Sequence, residues 1–185
     1  MLRPLEGKNT TTVHFSVMLN DINEIREGTL EAVMKASVWV SMHWKDERLA
    51  WSMGQYPVET IVIDPNKIWR PDIRLYNKSG WTTKSKLYCT TMVASGTTCR
   101  CGSLYIAYRP RVPSATWECP FRFGSWVYHG YQLDIYIHDE GMDLSQYADR
   151  VWGISGNQSS RKAITKKCCR EPWPEIKYIL RLIRR

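Results

Sequence analysis

Apolar residues recur at every second position along much of the chain, which is the period of a strand with one buried face. Val13, Phe15, Val17 and Leu19 share a face, and so do Val38, Val40, Met42 and Trp44. Ile176, Tyr178, Leu180 and Leu182 form a third stripe, and shorter runs lie at 60–63 and 133–137. Turn signals separate them: Arg26-Glu27-Gly28, Asp64-Pro65-Asn66, Ser79-Gly80, Ser95-Gly96 and Gly156-Asn157. No long helical period interrupts the pattern. Many short strands with punctuated turns predict an all-β sandwich or barrel-like sandwich. With no repeat, low-complexity tract or linker, residues 1–185 read as a single domain.

Composition changes this picture in two ways. Nine Trp and ten Tyr stand against three Phe, and rings that join a large apolar face to a polar handle suit recognition surfaces. The formal charge of +8 raises the question of a polyanionic partner. Outside Lys166, Lys167, Arg170 and the tail Arg181, Arg184, Arg185, however, the basic residues are dispersed, and no nucleic-acid motif accompanies them. The reading is therefore a solvated basic face, with no nucleic acid as partner. No apolar stretch has the length of a membrane helix, and the first residues lack a signal-peptide core. Four scattered histidines, without a nucleophile or metalloprotease motif, argue against a hydrolase.

Six cysteines, none spaced as C-x-x-C, favour disulfides over zinc, so neither metal nor cofactor is expected. Cys168 and Cys169 are adjacent, and Pro172, Trp173 and Pro174 follow them into an alternating strand. This reads as the tip of a hairpin presenting an aromatic ring, its vicinal pair able to close a tight disulfide ring. Cys89 is expected to pair with Cys99 or Cys101 across the Ser95-Gly96 hairpin, the other joining Cys119; the connectivity stays open. Sequons at Asn9, Asn77 and Asn157 agree with a secretory route and a glycoprotein.

Four strings in order carry a family resemblance: Val38 to Trp51 (VWVSMHWKDERLAW), Ile68 to Asn77 (IWRPDIRLYN), Cys119 to Trp126 (CPFRFGSW), and the Cys168-Cys169 hairpin. Together they resemble the extracellular domain of nicotinic-type Cys-loop receptors and the soluble acetylcholine-binding proteins, over nearly the whole chain. The resemblance implies an immunoglobulin-like ten-strand β-sandwich, with the family's N-terminal helix absent from this chain. It also implies a homopentamer that binds a small organic ligand between subunits and is not an enzyme. The location implied is extracellular, either secreted or as the ectodomain of a plasma-membrane receptor. Membrane contact is expected only if a transmembrane domain follows residue 185. A secreted β-sandwich for adhesion or carbohydrate binding is the competing reading, its rings stacking on sugars.

Members of the family hold a cationic ligand in a cage of rings, whose negative π-faces attract the charge. The matching residues are Tyr76, Trp126 and Trp173 on one subunit face, with Cys168 and Cys169 at the flap tip, and Trp44 on the opposing face. Trp39, Trp51 and Trp69 are assigned to packing, and Pro71 and Asp72 to holding a turn. Two departures stand out. Lys166 replaces the ring that the family carries two positions before the vicinal pair. A cation there repels a cationic ligand and removes one face of the cage, which points to an amine, zwitterion or amphiphile other than the usual neurotransmitter. The signature loop also lacks its first cysteine, which its spacing places at Tyr105, and reads Arg109-Pro110-Arg111-Val112-Pro113-Ser114 where receptors contact their membrane domain.

Overall fold

The alternating stripes are what the two sheets bury. A computed structural model describes residues 2–4, 9–27, 32–77, 91–93, 96–108, 116–148 and 151–184. Among the described residues ten strands run in chain order: β1 Thr11–Glu27, β2 Ala32–Trp44, β3 Thr60–Ile61, β4 Ile73–Leu75, β5 Thr91–Val93, β6 Gly96–Tyr108, β7 Thr116–Ser125, β8 Leu133–Ile137, β9 Trp152–Thr165 and β10 Pro172–Arg184. Six form one sheet, in the order β3-β5-β6-β2-β1-β8, and four form the other, β4-β7-β10-β9. Among the described residues there is no α-helix, only 3-10 turns at Glu47–Leu49 and Pro65–Lys67. No helix among them is long and apolar enough to cross a membrane.

The core lies between the sheets. Val13, Phe15, Val17 and Leu19 of β1 face Phe121, Phe123, Ile176, Tyr178, Leu180 and Leu182 of β7 and β10, and all are at most 2% exposed. Phe15 and Phe123 meet across the gap with ring centres 4.9 Å apart. The Tyr178 hydroxyl donates to the Phe15 carbonyl at 3.3 Å, so the largest buried polar tip is satisfied by the opposite sheet. Each such ring or branched side chain contributes about 1.5–3 kcal/mol through removal from water.

Two sequence expectations shift for local reasons. The Thr60 to Ile63 run is a strand over Thr60–Ile61 only, because Asp64 caps the next 3-10 turn by accepting from the Asn66 amide at 2.9 Å. Gly156-Asn157, expected as a turn, lies inside β9. There the register steps from Arg181↔Gly156 to Leu182↔Ile154, so Ser155 is the extra residue of a bulge. A glycine beside a bulge gives the same local signal as one in a turn, and only the pairing partner separates the two.

Candidate ligand-binding site

At one end of the sandwich, three segments from distant parts of the chain bring their rings together. Tyr76 directly follows β4, anchored by its amide to the Arg122 carbonyl at 2.7 Å. Its ring crosses Gly124 of β7: a β-carbon at that glycine would lie 2.7 Å from the Tyr76 Cζ and closer still to the hydroxyl. Only glycine leaves room for the ring. The hydroxyl donates to the Ser125 carbonyl at 2.6 Å.

Trp126 follows β7 and meets Tyr76 edge to face, with ring centres 6.2 Å apart. Its own ring is 66% exposed, so packing leaves the indole face open. What fixes it is the backbone. Asp72 accepts from the Ser125 hydroxyl at 2.5 Å, the Trp126 amide at 3.0 Å and the Val127 amide at 2.8 Å. The expected turn-holding role of Asp72 is met here by a carboxylate that takes three donors from another segment.

The β9–β10 hairpin supplies the third side. Its tip closes through the Cys169 amide to the Lys166 carbonyl at 3.1 Å, and its base is tied to the loop after Trp126 by the Gly130 amide to the Pro172 carbonyl at 2.7 Å. Pro172 and Pro174 pair with β9 but lie beyond the stretch that pairs with β7, so their missing N–H groups break no ladder. The Lys166 ammonium does not point to solvent. It sits over the Trp173 ring at 3.5 Å from the centre and 5.7 Å from the centre of Tyr76. The indole N–H of Trp173 is buried and meets no acceptor among the described residues.

Cys168 and Cys169 stand beside this contact as unbonded thiols. The Cys169 thiol is pushed up, first by its hydrogen bond to Cys168 and then by burial, with Lys166 opposing. Cys119 is likewise an unbonded thiol, on the core side of β7, and burial followed by Glu118 pushes it up to about 12. Cys89, Ser79-Gly80 and 109–114 lie outside the described residues, as do the side chains of Cys99, Cys101 and Tyr105.

The residue assigned to the opposing face lies apart from these rings. Trp44 is 4% exposed, part of the core and packed edge to face on Trp69, because it continues the inward stripe of Val38, Val40 and Met42. Trp39, assigned to packing, is 51% exposed. The parity of the strand decides this: odd and even positions of β2 face opposite ways.

Two sequons also have structural uses. Asn77 donates to the Pro120 carbonyl at 2.7 Å and accepts from the Arg122 amide at 3.0 Å, while Asn157 donates to the Met142 carbonyl at 2.7 Å and accepts from its amide at 2.8 Å. Asn9 is exposed.

Behind the rings, Arg122 and Glu175 form a two-pronged ion pair at 2.7 and 2.8 Å. The Tyr76 phenol is pushed up to about 12, first by burial and then by Glu175 and Asp72, with Arg122 opposing. It therefore remains a hydrogen-bond donor at neutral pH, and its ring keeps its neutral face. Among the described residues no group of three or more His, Cys, Asp or Glu side chains is placed to hold a metal ion. What the arrangement offers is a set of π-faces, which attract a cation.

The neurotransmitter-gated ion-channel ligand-binding domain model matches residues 1–185. The neuronal acetylcholine receptor subunit alpha-9 of Rattus norvegicus is 30% identical over all of this chain and 40% of its own length. The acetylcholine receptor subunit alpha-type acr-16 of Caenorhabditis briggsae is 33% identical over 94% of this chain and 36% of its own. The chain thus spans about two fifths of the length of the curated relatives it matches. A solved structure of the Capitella teleta AChBP in complex with lobeline superposes with a TM-score of 0.90 at 25% identity, covering 99% of this chain and 88% of that one. Full-length coverage by the family model and the shared fold agree: the chain belongs to the family of extracellular ligand-binding domains of neurotransmitter-gated ion channels, which includes the nicotinic-type receptors and the acetylcholine-binding proteins.

Proposed function

We propose that this domain binds a small organic amine between neighbouring copies of itself in a ring of five. In this reading Tyr76, Trp126 and Trp173 form the cage on one copy. The neighbour closes it with the exposed ring of Trp39, which replaces Trp44 in that role. The supporting observation is the position of a single cation that reaches two of the rings: the Lys166 ammonium, 3.5 Å from the centre of Trp173 and 5.7 Å from that of Tyr76, with Trp126 packed on Tyr76. Two rings facing one charge, with a third ring packed on one of them, is an arrangement that cation–π attraction rewards.

The relatives agree in kind, since they include acetylcholine receptor subunits and an acetylcholine-binding protein. Cys168 and Cys169 close into a vicinal disulfide in an oxidising compartment and stiffen the flap tip. An intact-mass measurement without reductant then gives a chain lighter by the two thiol hydrogens, provided the other cysteines are counted by mapping.

The test of the site is a titration with acetylcholine and choline followed by tryptophan fluorescence, in the parent protein and in Trp126→Ala. Binding that is saturable in the parent and lost in the variant supports the cage. Full retention in Trp126→Ala removes it.

A further inference from the structure

Lys166 is the residue that the cage reading leaves unexplained, because a cation at the mouth of a cation site works against it. Its placement is specific. The ammonium lies over the Trp173 ring rather than in solvent, and it faces Tyr76 as well. Among the described residues it forms no ion pair with a carboxylate. Lys167 and Arg170 are exposed on the same hairpin tip, and add positive charge around it. The Cys169 amide bond to the Lys166 carbonyl and the pairing of Trp173 with Ile164 hold the lysine backbone and the indole on opposite arms of one hairpin. The contact is therefore short-range, made within the hairpin, and needs no ligand to form.

Resting on the cage reading above, we propose that Lys166 is a tethered cation that fills the aromatic cage, and that it restricts the site to ligands carrying an acidic group beside their amine. A plain cation must displace the ammonium and then tolerate it nearby. A ligand with a carboxylate gives the displaced ammonium a partner, so the charge that opposes the first ligand class favours the second. Replacing the lysine by an uncharged side chain of similar length removes both effects at once.

Choline and glycine betaine share a trimethylammonium group and differ chiefly in a hydroxyl against a carboxylate, which makes them a matched pair of probes. In Lys166→Gln the affinity for choline is expected to rise roughly tenfold, the weight of one well-placed cation–π contact. The preference of the parent for betaine over choline is expected to disappear. A second readout needs no ligand. In protein carrying labelled lysine, the Lys166 ε-methylene protons should show an upfield ring-current shift that is lost in Trp173→Ala. Unchanged choline affinity in Lys166→Gln, with binding still abolished by Trp126→Ala, overturns the tethered cation and leaves the cage standing. An ε-methylene resonance at the position of exposed lysines overturns it independently. If neither probe binds the parent or Lys166→Gln while the ring-current shift is present, the lysine–indole contact is real but the amine-site reading fails, and the ligand restriction falls with it.

Discussion

At the residue scale, the site depends on a glycine with no chemistry of its own. Gly124 lies under the Tyr76 ring, where a methyl group has no room. Gly124→Ala is expected to cost about 1–3 kcal/mol from forced displacement of the tyrosine, read as a lower Tm together with loss of amine-induced quenching. The motif Phe-Gly-Ser-Trp was legible in the sequence, but the reason for its glycine was not, since the ring it accommodates comes from a segment almost fifty positions earlier. The Tyr76 phenol gives a second prediction. Its folded value, about 12, lies above the ordinary 10.0. The folded state therefore holds the proton more tightly than the unfolded chain. This contribution to stability is fully present below pH 10 and is lost as the pH rises from there toward about 12. Denaturant unfolding at pH 9 and 11 should show a smaller pH-dependent loss in Tyr76→Phe than in the parent.

At the scale of elements, the loop after β7 is built by a carboxylate. Asp72 takes three donors from Ser125, Trp126 and Val127, so Asp72→Ala leaves those groups without an acceptor. The expected cost is about 1–3 kcal/mol, and the exposed Trp126 should lose its orientation, which near-ultraviolet circular dichroism would register. The sequence showed that Asp72 held a turn but not which one, because its partners lie some fifty residues away. Strands with an undisturbed two-residue period were readable: 133–137 is β8 as expected, and the stripe from Ile176 to Leu182 is the core face of β10. β9 was not, since its polar residues flank a bulge and few of its side chains enter the core. β2 shows the limit of period without parity. Trp44→Ala should cost about 3–5 kcal/mol as a core deletion, whereas Trp39→Ala should leave stability within about 0.5 kcal/mol and weaken amine binding. The reverse pattern would return Trp44 to the site.

At the scale of the whole molecule, the proposed function has a neighbouring copy join the exposed Trp39 of one sheet to the rings held by β4, β7 and the β9–β10 hairpin. Sedimentation at low salt should give a species of five times the 21.7 kDa chain mass, dissociating in parallel with loss of amine binding; a monomer that retains the site would count against a shared interface. The all-β class, the inward stripes and the family were readable from residue order, because strand period and motif spacing are properties of neighbours along the chain. The cage was readable only as a set of types. Placing the Lys166 ammonium over Trp173, Trp44 in the core and Trp39 on the surface took the packed structure, since those outcomes depend on which face of each strand the two sheets enclose and on contacts between segments that the chain keeps apart.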